Sequence, residues 1–118
     1  MTRAGICAVA AASIALLAAP ALAAPQATAL NGTVGPGFTI TLKQGTKVVK
    51  TLKPGAYKIT VDDRSGSHNF HLKGPGVNKA TTVAKQGKTT WNVTLRKGTY
   101  TYVCDPHASA MKGSFKVG

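Results

Sequence analysis

Acidic residues are nearly missing from this chain. Only Asp62, Asp63 and Asp105 stand against 15 lysines and arginines among 118 residues, a formal net charge of +12. A field of that sign favours an acidic protein partner or an anionic envelope surface. It does not by itself indicate nucleic-acid binding. The lysines (Lys43, Lys47, Lys50, Lys53, Lys58 and onward) are scattered singly, and neither a clustered basic arm nor a nucleic-acid-binding motif is present. Sulfur is equally scarce: two cysteines, Cys7 and Cys104, and two methionines, Met1 and Met111. That excludes a disulfide-stapled scaffold and a Met-rich metal-trafficking surface. Beyond the first two dozen residues there is no long apolar run, no sustained helical period, no internal repeat and no low-complexity segment.

The amino terminus reads as an export signal. Met1-Thr2-Arg3 is a short positive start, the uncharged segment from Ala4 to Leu17 follows, and Pro20-Ala21-Leu22-Ala23 supplies the small-x-small end that signal peptidase recognises. Cleavage is expected after Ala23 or Ala24, dividing the chain into a leader, 1–24, and one domain, 25–118. No cysteine stands at the cut, so no lipid anchor is expected. The mature protein is expected in the periplasm, cell envelope or extracellular space, with no membrane span and as a monomer. Its 94 residues are enough for one modest core and too few for two. Cleavage removes Cys7 and Arg3, leaving Cys104 as the sole thiol and a net charge of +11. A lone cysteine in an oxidising compartment is a reactive thiol, an intermolecular link or a metal ligand.

The rest of the mature chain consists of short apolar or β-branched runs bounded by Gly, Pro or Asn. Strands are expected at Ala29–Val34, Phe38–Leu42, Lys47–Thr51, Tyr57–Val61, Asn69–Leu72, Thr81–Ala84, Thr89–Leu95, Thr99–Cys104 and Ser114–Val117. This spacing predicts an all-β, antiparallel sandwich or barrel. In the eighth strand a period of two places Tyr100, Tyr102 and Cys104 on the inward face; in the seventh it does the same for Thr89, Trp91, Val93 and Leu95.

Cys104, His107 and Met111 stand in the pattern Cys-x2-His-x3-Met. A thiolate, an imidazole and a thioether on one loop suit a soft or borderline metal. His68 or His71, both in Ser67-His68-Asn69-Phe70-His71-Leu72, would complete a His2Cys plane with a weak axial methionine, the ligand set of a type 1 copper site. Zinc suits Cys and two His but gains nothing from the thioether. A Cys/His hydrolase lacks an orienting third group. An adhesion module would leave the thiol idle.

These residues are similar to a known family. Ser67-His68-Asn69-Phe70, followed far downstream by Gly98-x-Tyr100-x-Tyr102-x-Cys104-x-Pro106-His107-x3-Met111-x-Gly113, resembles the cupredoxins, the plastocyanin, azurin and pseudoazurin relatives. The resemblance implies a Greek-key β-sandwich and one copper per chain, held by His68, Cys104, His107 and Met111. It implies single-electron transport between redox partners rather than catalysis; a copper carrier or scavenger is the alternative. It also implies that Asn69 ties the first-ligand segment to the Cys loop, and that Tyr100 is a tyrosine-corner residue. Pro106 lacks an N–H and so withholds one donor from the Cys sulfur. Asp105 departs from the pattern by placing a carboxylate beside the thiolate, and the ligand loop combines a plastocyanin-like Cys-x2-His with an azurin-like His-x3-Met. His71, three positions from His68, is expected to face away from the metal.

Overall fold

The computed structural model describes residues 5, 11–15 and 26–118, so the expected leader at 1–24 lies almost wholly outside the described residues. Ten strands follow: β1 Thr28–Val34, β2 Ile40–Gln44, β3 Lys47–Val48, β4 Thr51–Leu52, β5 Gly55–Asp63, β6 His71–Gly74, β7 Val77–Ala80, β8 Gly87–Leu95, β9 Gly98–Val103 and β10 Lys112–Val117. They form two five-stranded sheets, ordered β3-β2-β1-β5-β8 and β4-β10-β9-β6-β7. Between the sheets lies a core that includes Leu30, Leu42, Ile59, Phe70, Leu72, Leu95 and Phe115.

The expected alternation appears where the core needs it. Tyr100, Tyr102 and Cys104 are buried. On β8, Val93 and Leu95 are buried and Trp91 is half-buried against the core, while Thr89 is exposed. Two pairings are parallel, β1 with β5 and β4 with β10. Both arise because the chain leaves one sheet after β3 and returns after β4, a crossover no hairpin can make. The segment Thr81–Ala84, expected as a strand, is a turn region; β7 precedes it instead. Thr81 is used locally: its hydroxyl accepts from Phe70 N at 2.9 Å and its N–H donates to Phe70 O at 3.0 Å.

Tyr100 closes the end of the sandwich. Its hydroxyl accepts from Arg96 N at 3.0 Å and lies 2.9 Å from Arg96 O and 3.1 Å from Pro75 O, while its ring stacks on Phe115 with centroids 5.3 Å apart. This is the tyrosine-corner arrangement. Tyr100→Phe keeps the stacking and removes the hydroxyl's bonds to the part-buried Arg96 N–H and to the carbonyls of Arg96 and Pro75, so it should lower unfolding stability by about 1 kcal/mol. Urea unfolding checks this, and an unchanged midpoint would show that the hydroxyl contributes nothing.

Candidate metal centre

Three loops at one end of the sandwich build the site. The segment from Arg64 to Phe70 joins β5 to β6, the segment from Cys104 to Met111 joins β9 to β10, and the segment from Gly35 to Thr39 joins β1 to β2. Pairing of β6 with β9, Leu72 opposite Tyr102, brings residue 68 to residue 104 across 36 positions of sequence.

The Cys104 loop is locked by its own backbone. Cys104 N donates to Met111 O at 3.0 Å, His107 N to Cys104 O at 2.9 Å, and Met111 N to His107 O at 2.8 Å. Asp105–His107 forms a 3-10 turn with Pro106 near its start, where a missing N–H leaves no bond unmade. Ligand positions 104, 107 and 111 are thereby fixed by the turn before any metal arrives. Cys104, His68 and Met111 are buried and His107 is half-buried.

The donor atoms converge. His68 Nδ1 and His107 Nδ1 are 3.1 Å apart, and each is 3.6 Å from Cys104 Sγ. All three lie within 4.8 Å of one another. The point equidistant from the corners of that triangle is about 2.0 Å from each, the bond length of a first-row metal to imidazole nitrogen and slightly under that to thiolate. The donor set therefore fits a copper ion without rearrangement. Together with Met111, buried on the same loop, these residues form the copper site.

Behind the donors lies a hydrogen-bonded support. Asn69 Oδ1 accepts from Asp105 N at 2.7 Å, and Asn69 Nδ2 donates to Asp105 Oδ2 at 2.8 Å and to Thr81 O at 3.2 Å. Asn69 thus joins the first-ligand segment to the Cys104 loop. Desolvation disfavours ionisation of Asp105, but hydrogen bonds from Asn69 and His71 and the charges of His71 and Lys73 outweigh it and hold its carboxyl below the usual range. His71 is not among the converging donors; its ring meets Asp105 instead.

Two contributors were not foreseen from sequence. Gly35, at φ +73°, lies so close that an added Cβ would stand 2.9 Å from Ser65 Cβ and 3.5 Å from His68 Cδ2. Phe38 is not in a strand. It is 68% exposed and lies over both imidazoles, its ring centroid 4.9 Å from His107 and 5.5 Å from His68. A Gly-Pro-Gly run ahead of an aromatic was the available signal, a turn that leaves the next side chain outside.

Asp63, at the end of β5, is buried with Oδ1 accepting from Ser65 N at 3.0 Å and Oδ2 without a partner. Burial raises its pKa, against the opposing effects of the Ser65 N–H and His68. A raised folded-state pKa means that stability is lost as pH rises through it. Asp63→Asn keeps the acceptor and removes that loss. The variant should melt higher than wild type at pH 7, with the gap closing near pH 3. Calorimetry showing no gap at pH 7 would contradict the buried-charge penalty.

Comparison with known proteins accords with this geometry. Solved structures of rusticyanin are similar. Reduced rusticyanin matches at 24% identity and TM-score 0.55, over 76% of this chain and 78% of that one. Rusticyanin from Thiobacillus ferrooxidans matches at 27% identity and TM-score 0.50, over 76% of each chain. A chain of a heme-copper terminal oxidase dimer shares the fold at 16% identity and TM-score 0.54, over 76% of this chain and 63% of that one. No curated protein matches the sequence. The family of copper binding proteins of the plastocyanin/azurin type matches residues 38–118, which contain all four residues of the site. With that match over most of its length, a two-sheet β-sandwich and a converging His-Cys-His set, the chain belongs to the plastocyanin/azurin family of copper-binding cupredoxins.

Proposed function

We propose that this chain is an exported blue copper protein that carries single electrons between redox partner proteins and makes no bonds in a substrate. Bound copper supplies a one-electron couple. The chain supplies the setting. Cys104 as thiolate, the imidazoles of His68 and His107, and the thioether of Met111 would hold the copper. The backbone bonds between Cys104, His107 and Met111 hold these positions, so that little rearrangement accompanies a change of charge. Phe38 and the buried rings exclude water. The observation that carries the reading is the preformed triangle of donors, buried His68 and Cys104 with half-buried His107, two of them on a backbone-locked loop.

The leader 1–24 would send the domain 25–118 to the periplasm or cell envelope as a monomer. His107 is the half-buried ring between site and surface, with exposed Ala108 and Ala110 beside it as the docking patch. The excess of basic charge steers it toward an acidic partner.

Titration of the purified protein with Cu(II) tests the proposal. An intense blue band should saturate at one copper per chain, bleach with ascorbate and return on reoxidation. A colourless or pale adduct would favour a carrier or a zinc site. Steering has its own test. Oxidation of the reduced protein by anionic hexacyanoferrate should slow as ionic strength rises, and oxidation by a cationic cobalt(III) complex should quicken. Rates independent of salt would remove steering from the account.

A further inference from the structure

His71 is not a donor, yet it is built into the site. It opens β6, opposite Val103 on β9 and Ala80 on β7. Because Leu72 points into the core, His71 points to the outer face of the sheet, beside the start of the Cys104 loop. There its Nδ1 lies 2.9 and 3.0 Å from the two oxygens of Asp105, and its Nε2 lies 2.6 Å from Asn78 Oδ1 on β7. The ring is 14% exposed and the Asp105 side chain 47%. Among the described residues, Asp105 is otherwise held by Asn69 alone, which receives its backbone N–H and donates to its carboxylate.

We propose that His71 is a positioning residue for the copper site. It holds the Asp105 carboxylate against the sheet and offsets its negative charge, acting on the metal through Asp105 alone. The inference rests on the copper reading above for its electrical part and on hydrogen bonding for its mechanical part. The carboxylate is one residue from the thiolate ligand, so its charge stabilises the more positive metal state and lowers the reduction potential. His71 opposes that effect by donating to it. Asn78 fixes the ring from the other side, so His71 cannot turn away without losing a second bond. Lys73, two positions along β6, adds positive charge near the same carboxylate but makes no bond with it in this structure.

A double-mutant cycle at one pH reads the electrical part. His71→Ala should lower the reduction potential of the copper-loaded protein, Asp105→Asn should raise it, and His71→Ala made on top of Asp105→Asn should change it no further. His71→Ala should also weaken copper binding about 10- to 100-fold, the usual effect of losing a support behind a metal ligand. An unchanged potential in His71→Ala, or the same shift with Asp105 already neutral, would overturn the proposal, since general loosening of the fold would act whether or not Asp105 is charged. The mechanical part is read without metal. In the metal-free protein, hydrogen exchange at the Asp105 N–H should speed at least about tenfold in His71→Ala, as its acceptor Asn69 loses a fixed partner. Unchanged exchange would overturn the positioning role even if the potential moved. A wild-type protein that failed to turn blue would instead overturn the copper reading, leaving the exchange experiment to decide the role of His71.

Discussion

Replacing Cys104 with serine should abolish the intense visible band and, with it, most of the thermal stabilisation that copper provides. The thiolate brings the only negative charge to the donor triangle, and its sulfur supplies the charge-transfer transition that gives a type 1 site its colour. A serine hydroxyl stays protonated and neutral, so two imidazoles and a thioether are left to hold the ion. The size of the loss follows from linkage. A ligand at about 1,000 times its Kd stabilises the folded state by about 4 kcal/mol. In a domain of this length that corresponds to a rise in Tm of more than about 15 °C. Wild type should show that rise when free copper is held at about 1,000 times its Kd, and Cys104→Ser at the same free copper should show little of it. The metal-free proteins should melt within a few degrees of each other, because serine is close to cysteine in shape and the bonds that lock the loop are made by backbone, not by the thiol. A variant that stayed blue, or kept the full copper-dependent rise, would mean that the metal is held elsewhere. Calorimetry with and without copper, alongside the visible spectrum, separates these cases.

What the sequence disclosed of this site followed a physical rule. Donors that are close in sequence were legible because the loop between them is too short to place them far apart: Cys104, His107 and Met111 share seven intervals and two reverse turns. The burial of Cys104 was legible from the two tyrosines at alternate positions before it. The fourth donor had no such local signal. Of His68 and His71, only the resemblance, through the Asn that follows His68, and the three-position offset favoured His68, and the register of β6 on β9 supplies the physical reason. His68 sits before the strand, turned toward Cys104, whereas His71 is the first paired residue and points outward. Phe38 was misassigned for a related reason. Phe-Thr-Ile-Thr-Leu alternates as a strand should, but the bonds Gly35 N to Thr39 O and Thr39 N to Gly37 O close a turn that keeps Phe38 out of the sheet. Its partner His107 is 69 positions away, beyond any local signal. Thr81–Ala84 shows the same competition: the side chain and backbone of Thr81 bond to Phe70, which leaves the segment no ladder to join.

Two glycines separate the stability of the sandwich from the state of its site. A Cβ at Gly74 would overlap the ring of Tyr100, and one at Gly113 would overlap the ring of Tyr102. Neither ring is free to move. Tyr100 is fully buried, stacked on Phe115 and bonded through its hydroxyl to Arg96. Tyr102 is 4% exposed and stacks on Phe70 with centroids 5.4 Å apart. Either Gly→Ala change should therefore lower stability by about 3 kcal/mol, at the upper end of the overpacking range, or roughly a quarter or more of the total for a small domain. The two should differ in what they do to the metal. Displacing Tyr102 pushes on Phe70, and Phe70 N is bonded to Thr81 Oγ1, beside Asn69 and two residues from His68. Gly113→Ala should therefore shift the energy or intensity of the visible band as well as the unfolding midpoint. Displacing Tyr100 pushes on the opposite end of the sandwich, at Arg96 and Pro75, so Gly74→Ala should lower the midpoint and leave the band of the folded protein unchanged. Urea unfolding followed at the copper band and by far-ultraviolet circular dichroism reads both quantities. Equal spectral shifts in the two variants would show that the core transmits strain along its whole length. An unshifted band in both would show that the backbone-locked Cys104 loop insulates the metal from the packing beneath it.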